Sequence, residues 1–430
     1  MKMNTTLLHP REQIIMIIDR IYKGGLTTTS GGNISIRDEN NDIWVTPSAV
    51  DKGTLRPSDI ICVKNDGTFE GPHKPSSEFP FHKAIFEARR DLTAIIHAHP
   101  PALVSFSIVR QIPNTNIIPQ AKFVCGSIGY APYELPGSEA LGESIAKEFV
   151  KKHNAVIMEN HGTVVGGSDL KNAYERFETL EFCARTILNA KTIGEPRFLT
   201  DQFIADFEAQ IPYQLPEQAE VSHPSDERAI RKNIVKIVRR ASDQGLMRST
   251  YGTVSVRWRN NDFLITPTNL SRWDIQLEDI VQIKDGKREK GKIPSRAVKL
   301  HERIYSENPN INSIIFTQPP YLMAYGVTDV PIDVRTIPES WIFLQDIPKV
   351  SFGSQFFDKD IIPKKLNKNI PAILIENDSI LVTGDALLQT FDRLEVAEFS
   401  ARSLIMAKPM GELNPINDKQ IEDLRKNFLS

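Results

Sequence analysis

The sequence predicts an α/β protein written twice: two copies of a sheet covered by helices, joined by a short polar seam. Three observations carry this. Runs of β-type residues alternate with amphipathic helical stretches, the pattern of a sheet with helices on its faces. Long blocks of the first half return, in order, in the second half. Between the halves lies a proline-rich polar stretch, Gln210–Asp226, with Pro212, Pro216 and Pro224.

The repeat is direct. Gly32-Asn33-Ile34-Ser35-Ile36-Arg37, then Asn40-Asn41-Asp42 and Thr46-Pro47, comes back about 220 residues later as Gly252-Thr253-Val254-Ser255-Val256-Arg257, Asn260-Asn261-Asp262 and Thr266-Pro267. Pro75-Ser76 returns as Pro294-Ser295, His82 as His301, Pro100-Pro101 as Pro319-Pro320, and Glu159-Asn160 as Glu376-Asn377. A repeat of this length is a duplicated domain, since solenoid repeats are far shorter. The expected domains are residues 1–210 and 225–430, with 211–224 as linker, each copy of ordinary single-domain size.

Within each copy the elements follow from periodicity. Glu12–Tyr22 and Ala229–Gln244 read as amphipathic opening helices. Asn33–Arg37, Ile43–Thr46 and Ile60–Lys64 read as short strands, and Glu78–Arg89 as a helix. The apolar run Leu92–Ile96 reads as a strand. Ser138 caps a helix that places Leu141, Ile145 and Phe149 on one face. Asp169–Ala190 is a long helix with Ala173, Phe177, Leu180, Ala184 and Leu188 on one stripe, and Gly194 lies beyond its end.

Composition excludes several classes. A net charge of −2 leaves no electrostatic footprint for nucleic acid or an anionic membrane. No apolar run suggests a signal peptide or a transmembrane span. Cys62, Cys125 and Cys183 form no CxxC, which fits a reducing cytoplasm and neither a disulfide framework nor a thiolate metal site.

The chemistry is concentrated in a few residues. His97-Ala98-His99 ends a strand, where side chains at i and i+2 share a face, so two imidazoles project together. His161, in Glu159-Asn160-His161-Gly162, follows another apolar run, and Glu78 lies upstream in Ser76-Ser77-Glu78. Three histidines and a carboxylate are the minimum for a catalytic divalent metal with an acid/base partner. The duplication supplies an internal control. At the places of Glu78, His97, His99 and His161 the second copy has Ala297, Phe316, Gln318 and Asp378, while neighbouring residues persist. Four simultaneous losses mark a set that serves chemistry in the first copy. His82 and His301 occur in both copies and read as helix packing or capping. His9, His73, His153 and His223 read as surface residues.

The ordered set GGNIS, Thr46-Pro47-Ser48, Ser76-Ser77-Glu78, His97-Ala98-His99-Pro100 and Asn160-His161-Gly162 resembles the class II aldolase/adducin family, over about Arg11 to Gly194. The resemblance implies two tandem α/β/α sandwiches, each with a central, largely antiparallel sheet. It implies metal ligands at His97, His99 and His161 and a catalytic carboxylate at Glu78. For the substrate phosphate it implies Asn33, Ser48-Ala49 and Ser76-Ser77, with Ala49 standing where a glycine is usual. Tyr133, four residues before Gly137-Ser138, fits the spacing of a tyrosine that protonates a carbonyl oxygen in aldolases of the family.

The expectation is therefore a class II, metal-dependent lyase with one divalent metal per chain. Neutral imidazoles suit Zn²⁺, with Mn²⁺, Co²⁺ or Fe²⁺ as alternatives. Its substrate would be a phosphorylated sugar or a related hydroxy-keto acid. The reaction would pass through a metal-stabilised enediolate toward aldol cleavage, decarboxylation or dehydration. Two other readings stand beside it: a pentulose-phosphate 4-epimerase, and a non-catalytic, adducin-like scaffold or binding protein. The cysteines point to the cytoplasm, and the resemblance also implies a homodimer that forms a pseudo-tetramer, with inert second copies walling the sites of their neighbours. Arg296, in place of the serine at position 77, would fill the vacant second pocket with positive charge.

Overall fold

A computed structural model describes residues 7–209, 215–219, 221–356 and 360–429. Contacts divide the chain into two compact units: Met1–Thr115 with Gln120–Arg185, and Asn116–Pro119 with Thr186–Ser430. Each contains one eight-stranded sheet, and the strand order is the same in both.

In the first unit the strands are β1 Asn33–Arg37, β2 Ile43–Val45, β3 Ile61–Val63, β4 Phe69–Glu70, β5 Ala94–Ala98, β6 Gly129–Ala131, β7 Ala155–Met158 and β8 Gly162–Gly167. They lie in the order β4-β3-β2-β1-β5-β8-β7-β6. Every pairing is antiparallel except β6 with β7, so the sheet is largely antiparallel, as expected. β5 is central and flanked by β1 and β8, with Asn33 opposite His97 on one side and Val164 opposite His97 on the other.

Strand alternation then divides the side chains. Ile95 on β5 shares its face with His97. It packs in a core with Val156, Met158 and Val164 and with Phe81, Ile85, Leu141, Ile145 and Phe149 of the helices Phe79–Ala88 and Glu139–Val150. Ser138 accepts from the Leu141 N–H and starts the second of these helices, as the sequence predicts. Ile34, Ile96 and Ile157 are fully buried on alternate positions, so both faces are covered. Each such aliphatic side chain contributes about 1.5–3 kcal/mol by leaving water. The opening helix Pro10–Lys23 is capped by His9, whose Nδ1 accepts from the Arg11 N–H while Glu12 accepts from the His9 N–H. His9, read as a surface residue, is exposed and also starts the helix.

The second unit has β9 Thr253–Arg259, β10 Asp262–Ile265, β11 Val281–Lys284, β12 Lys287–Arg288, β13 Ser313–Thr317, β14 Lys349–Val350, β15 Ala372–Ile375 and β16 Ser379–Gly384. The order is β12-β11-β10-β9-β13-β16-β15-β14. Of the expected linker, residues 211–214 and 220 lie outside the described residues. Residues 215–218 run beside β12: Leu215 joins the core of this unit, and the Arg288 N–H donates to the Pro216 carbonyl. The helix Asp201–Glu208 also belongs to this unit, because Phe207 stacks near Phe352 and Phe356 and lies under the Arg296 guanidinium. Arg296 therefore packs its charge on an aromatic face.

Among the described residues, no helix is long and apolar enough to cross a membrane. All three cysteines are free and buried. Burial pushes the Cys125 thiol up to about 12 and that of Cys183 well above its ordinary value.

Candidate metal centre

β5 carries His97, and His99 follows directly beyond the strand's last residue, with the two ring centroids 4.7 Å apart. His97 is fully buried, and its Nδ1 lies 2.9 Å from the Thr163 carbonyl oxygen on β8. A carbonyl only accepts, so Nδ1 carries a hydrogen and Nε2 is the ring nitrogen turned toward the other imidazoles. His99 Nε2 lies 3.0 Å from His97 Nε2.

His161 comes from the tight turn between β7 and β8. Asn160 takes the left-handed conformation there, with φ +52°, and the His161 N–H donates to the Met158 carbonyl. Asparagine tolerates that conformation better than most residues. The ligand atoms of His97, His99 and His161 all lie within 4.8 Å of one another.

Two glycines make room for the His99 ring. A Cβ on Gly162 would lie 2.7 Å from His99 Cδ2, and one on Gly31 would lie 2.9 Å from His99 Nδ1. The second copy has Ser379 and Tyr251 at these two places, together with Gln318 in place of His99. Sequence reasoning misses this. The signal was available as two glycines lost together with the histidine they accommodate.

Glu78 stands at the N-cap position of the helix Phe79–Ala88, where the helix dipole favours a carboxylate. Its Oε2 lies 3.2 Å from His97 Nε2 and its Oε1 lies 3.2 Å from His161 Nε2. Burial alone raises this carboxyl, but the neighbouring imidazoles outweigh it and hold the group far below the ordinary carboxylate range. Burial, then the charges of His97 and His161, pushes His99 down to about 3. A neutral ring is the form that ligates metal.

The turns expected to meet an anion come together beside Glu78. The Ser76 N–H donates to the Thr46 carbonyl, the Ser48 N–H donates to the Lys74 carbonyl, and Pro47 bridges Pro75. Ser76 is buried, and its Oγ accepts from the Glu78 N–H, whereas Ser77 is exposed. Ala49 is left-handed, with φ +56°, which gives a physical reason for a glycine at this position; its counterpart Asn269 has φ +52°. Lys52, unnoticed in the sequence, is buried under this turn and donates to the Pro47 and Val50 carbonyls at 3.0 and 3.2 Å. In the second unit Arg272 takes the same bracing role, donating to Pro267, Leu270 and Gly252 carbonyls.

Asn33, expected on the resemblance to meet the phosphate, lies beside Glu78. Its Nδ2 donates to Glu78 Oε2 at 2.7 Å, so the amide serves the carboxylate directly. Tyr133 is 58% exposed, and its backbone N–H donates to Glu159. Among the described residues no hydrogen bond joins its hydroxyl to Glu78 or the three histidines. In the second unit Gln318 Nε2 donates to the Asp378 carbonyl, and the Ser379 hydroxyl donates to the Asp378 carboxylate. Among the described residues that unit brings together no group of metal-ligating side chains.

The Class II Aldolase and Adducin N-terminal domain family matches residues 12–188 and again 232–405. The chain belongs to this family. It is 32% identical over 194 residues to a 5-deoxy-D-ribulose 1-phosphate aldolase of Bacillus thuringiensis serovar kurstaki, covering 44% of this chain and 90% of the relative. It is 31% identical over 208 residues to a 3-oxo-tetronate 4-phosphate decarboxylase of Haemophilus influenzae, covering 47% and 98%. It is 35% identical over 181 residues to an L-fuculose phosphate aldolase of Methanocaldococcus jannaschii, covering 42% and 96%. A solved L-fuculose 1-phosphate aldolase structure is 30% identical, with TM-score 0.42, covering 46% of this chain and 96% of that one. The relatives thus comprise sugar-phosphate aldolases and a decarboxylase, and the tandem family match accounts for the two like sheets.

The residues fit a divalent metal. The fit rests on the His97 ring, whose Nδ1–H is tied to a backbone carbonyl while Nε2 faces the other two imidazoles. That arrangement fixes tautomer and ring orientation in metal-ligating histidines.

Proposed function

We propose that the chain is a metal-dependent lyase acting on a sugar phosphate or a related hydroxy-keto acid, by aldol cleavage, decarboxylation or dehydration. The observation that carries this is the convergence of His97, His99 and His161 with Glu78 in the first unit only. The three imidazoles would hold one divalent metal, zinc by ligand type. A metal so held supplies Lewis acidity for charge that develops next to a carbonyl. Glu78 would move the proton on the adjacent carbon, and its anionic state suits it to accept one. The Ser48-Ala49 and Ser76-Ser77 turns would receive the phosphate through backbone N–H groups and hydroxyls, with Lys52 beneath. The phosphate in the names of all three relatives supports that substrate class. Tyr133 remains a proposed proton donor to a carbonyl oxygen, from an exposed loop. The three buried thiols support the cytoplasmic reading.

A non-catalytic role is favoured for the second unit, where Ala297, Phe316, Gln318 and Asp378 replace the set. We also propose a homodimer, on an asymmetry between the copies. In the second unit Arg197 donates its N–H to the Val327 carbonyl at 2.7 Å and pairs with Glu376, while Asn377 donates to the Ile117 and Arg197 carbonyls. Val327 is fully buried. The corresponding residues of the first unit, Ile108 and Asn160, are exposed. The stretch equivalent to residues 194–200 that follows the second copy is 411–417, with Leu413 exposed. In the proposed dimer a second copy lays its 411–417 stretch on Ile108 and Asn160, next to His161.

One experiment tests both readings. Purified full-length protein is examined for metal by elemental analysis, for mass by native mass spectrometry, and for turnover against sugar phosphates and keto acids. One metal per chain, a two-chain mass and turnover of a phosphorylated substrate are expected. Absence of bound metal after zinc loading would overturn the lyase reading, and a monomer the dimer.

A further inference from the structure

The hydrogen bonds behind Glu78 run in one direction, and elementary chemistry sets it. Asn33 Nδ2 lies 2.7 Å from Glu78 Oε2. A carboxylate only accepts, so the amide NH₂ faces Glu78 and the amide oxygen faces away. That oxygen lies 2.5 Å from His82 Nε2. An amide oxygen also only accepts, so His82 Nε2 carries a hydrogen. The ring is fully buried, which keeps it neutral. Its Nδ1 is therefore bare and accepts from the Ser35 hydroxyl at 2.6 Å. The series reads Ser35 to His82 to Asn33 to Glu78.

The second copy shows which part of this series belongs to the fold. It keeps the serine and the histidine: Ser255 Oγ lies 2.7 Å from His301 Nδ1, and Tyr305 adds its hydroxyl to Ser255. Thr253 replaces Asn33 and bonds instead to Ser295. Ala297 replaces Glu78, and among the described residues His301 Nε2 is left buried with no hydrogen-bond partner. Packing accounts for a histidine at this place in both copies. A bonded Nε2 occurs only in the copy that has a carboxylate and an amide to orient.

We propose that His82 is a positioning residue for Glu78. By donating to Asn33 Oδ1 it holds the amide in the single orientation that presents NH₂ to Glu78. The reversed amide would set oxygen against the carboxylate, acceptor against acceptor. Oε2 of Glu78 is thereby committed to Asn33, and Oε1 is the oxygen that takes the proton from the substrate carbon and returns it. The inference rests on the acid/base reading of Glu78. It also revises the sequence reading, in which His82 only packs or caps a helix.

The test uses the full-length protein with His82→Phe, His82→Gln and His301→Phe. His82→Phe is expected to lower kcat about 10- to 100-fold, the usual effect of losing an orienting partner, with KM and zinc content unchanged. His82→Gln can accept from Ser35 and donate to Asn33, and it should restore most of kcat. His301→Phe should change neither. A readout that needs no substrate is nitrogen NMR of the metal-free protein: His82 should be the Nε2–H tautomer. The Asn33 side-chain amide signals, sharp in the wild type, should broaden in His82→Phe. Wild-type kcat in His82→Phe, equal loss in His82→Gln, loss of zinc, an Nδ1–H tautomer or unaltered Asn33 signals would each overturn the proposal. If no compound is turned over, the lyase reading fails on its own, and the tautomer and amide signals still decide the hydrogen-bond series. If His82→Phe does not fold, the wild-type tautomer decides it.

Discussion

Replacing Gly162 with alanine puts a methyl group into the space of the His99 ring. The new Cβ would lie 2.6 Å from the Ala98 carbonyl oxygen and 2.7 Å from His99 Cδ2. Carbon atoms rest about 3.5–4.0 Å apart, so the ring must retreat by roughly 1 Å. Gly162 lies in β8 and has no left-handed φ, so its own φ admits alanine and the effect is steric, on the Ala98 carbonyl as well as on the ring. Metal sites hold their distances to about 0.2 Å. The expected loss of zinc affinity is therefore about 10- to 100-fold, with an overpacking cost of about 1–3 kcal/mol. Zinc affinity is measured by competition with a chromophoric chelator, and stability by denaturant titration of the metal-free protein. The cycle is closed with His99→Ala, in which the ring is gone and the added methyl meets only the Ala98 carbonyl. Adding Gly162→Ala to His99→Ala should then cost much less stability than it does alone. Undiminished zinc affinity in Gly162→Ala, or equal cost in both backgrounds, would refute the claim that this glycine exists to seat His99.

Three further outcomes are expected. Glu78→Gln keeps its zinc and loses about 10²- to 10⁴-fold in kcat; full turnover of the phosphorylated substrate would remove Glu78 from its role. His301 is fully buried and pushed down to about 3 by burial, whereas an unfolded imidazole titrates near about 6.5. Between those values the unfolded chain binds a proton that the folded chain does not, so stability falls as pH drops from about 6.5 toward 3. Over the window from pH 6.5 to 5 this term amounts to about 2 kcal/mol. In His301→Phe, urea denaturation should show an acid loss smaller by that amount, and an unchanged pH slope would count against the buried neutral ring. Ala49→Gly relieves a left-handed alanine at φ +56° and should raise stability by up to about 1 kcal/mol; a destabilised variant in thermal denaturation would show that the Ala49 methyl packs usefully.

The sequence by itself determined the architecture and singled out the side chains that come together at the candidate site. Alternating apolar residues placed the strands, because a strand's period of two is visible without any long-range information. The same period put His97 and His99 on one face. Duplication isolated Glu78 and the three histidines as a set, since the second copy keeps its frame while losing all four. What only the tertiary structure decided were relations between residues distant in the chain. Asn33 and Glu78 are 45 positions apart, and nothing local says that the amide donates to that carboxylate. His82 looks alike in both copies, yet its Nε2 is bonded in one and orphaned in the other, because the difference lies across the sheet at position 33 or 253. Nothing local to Gly31 or Gly162 tells that the His99 ring lies against them. Lys52 looks like a surface lysine until its ammonium is found under the Ser48-Ala49 turn. Periodicity reports which way a side chain points. What it meets there depends on strand order and helix packing, and these form only when the whole sheet assembles.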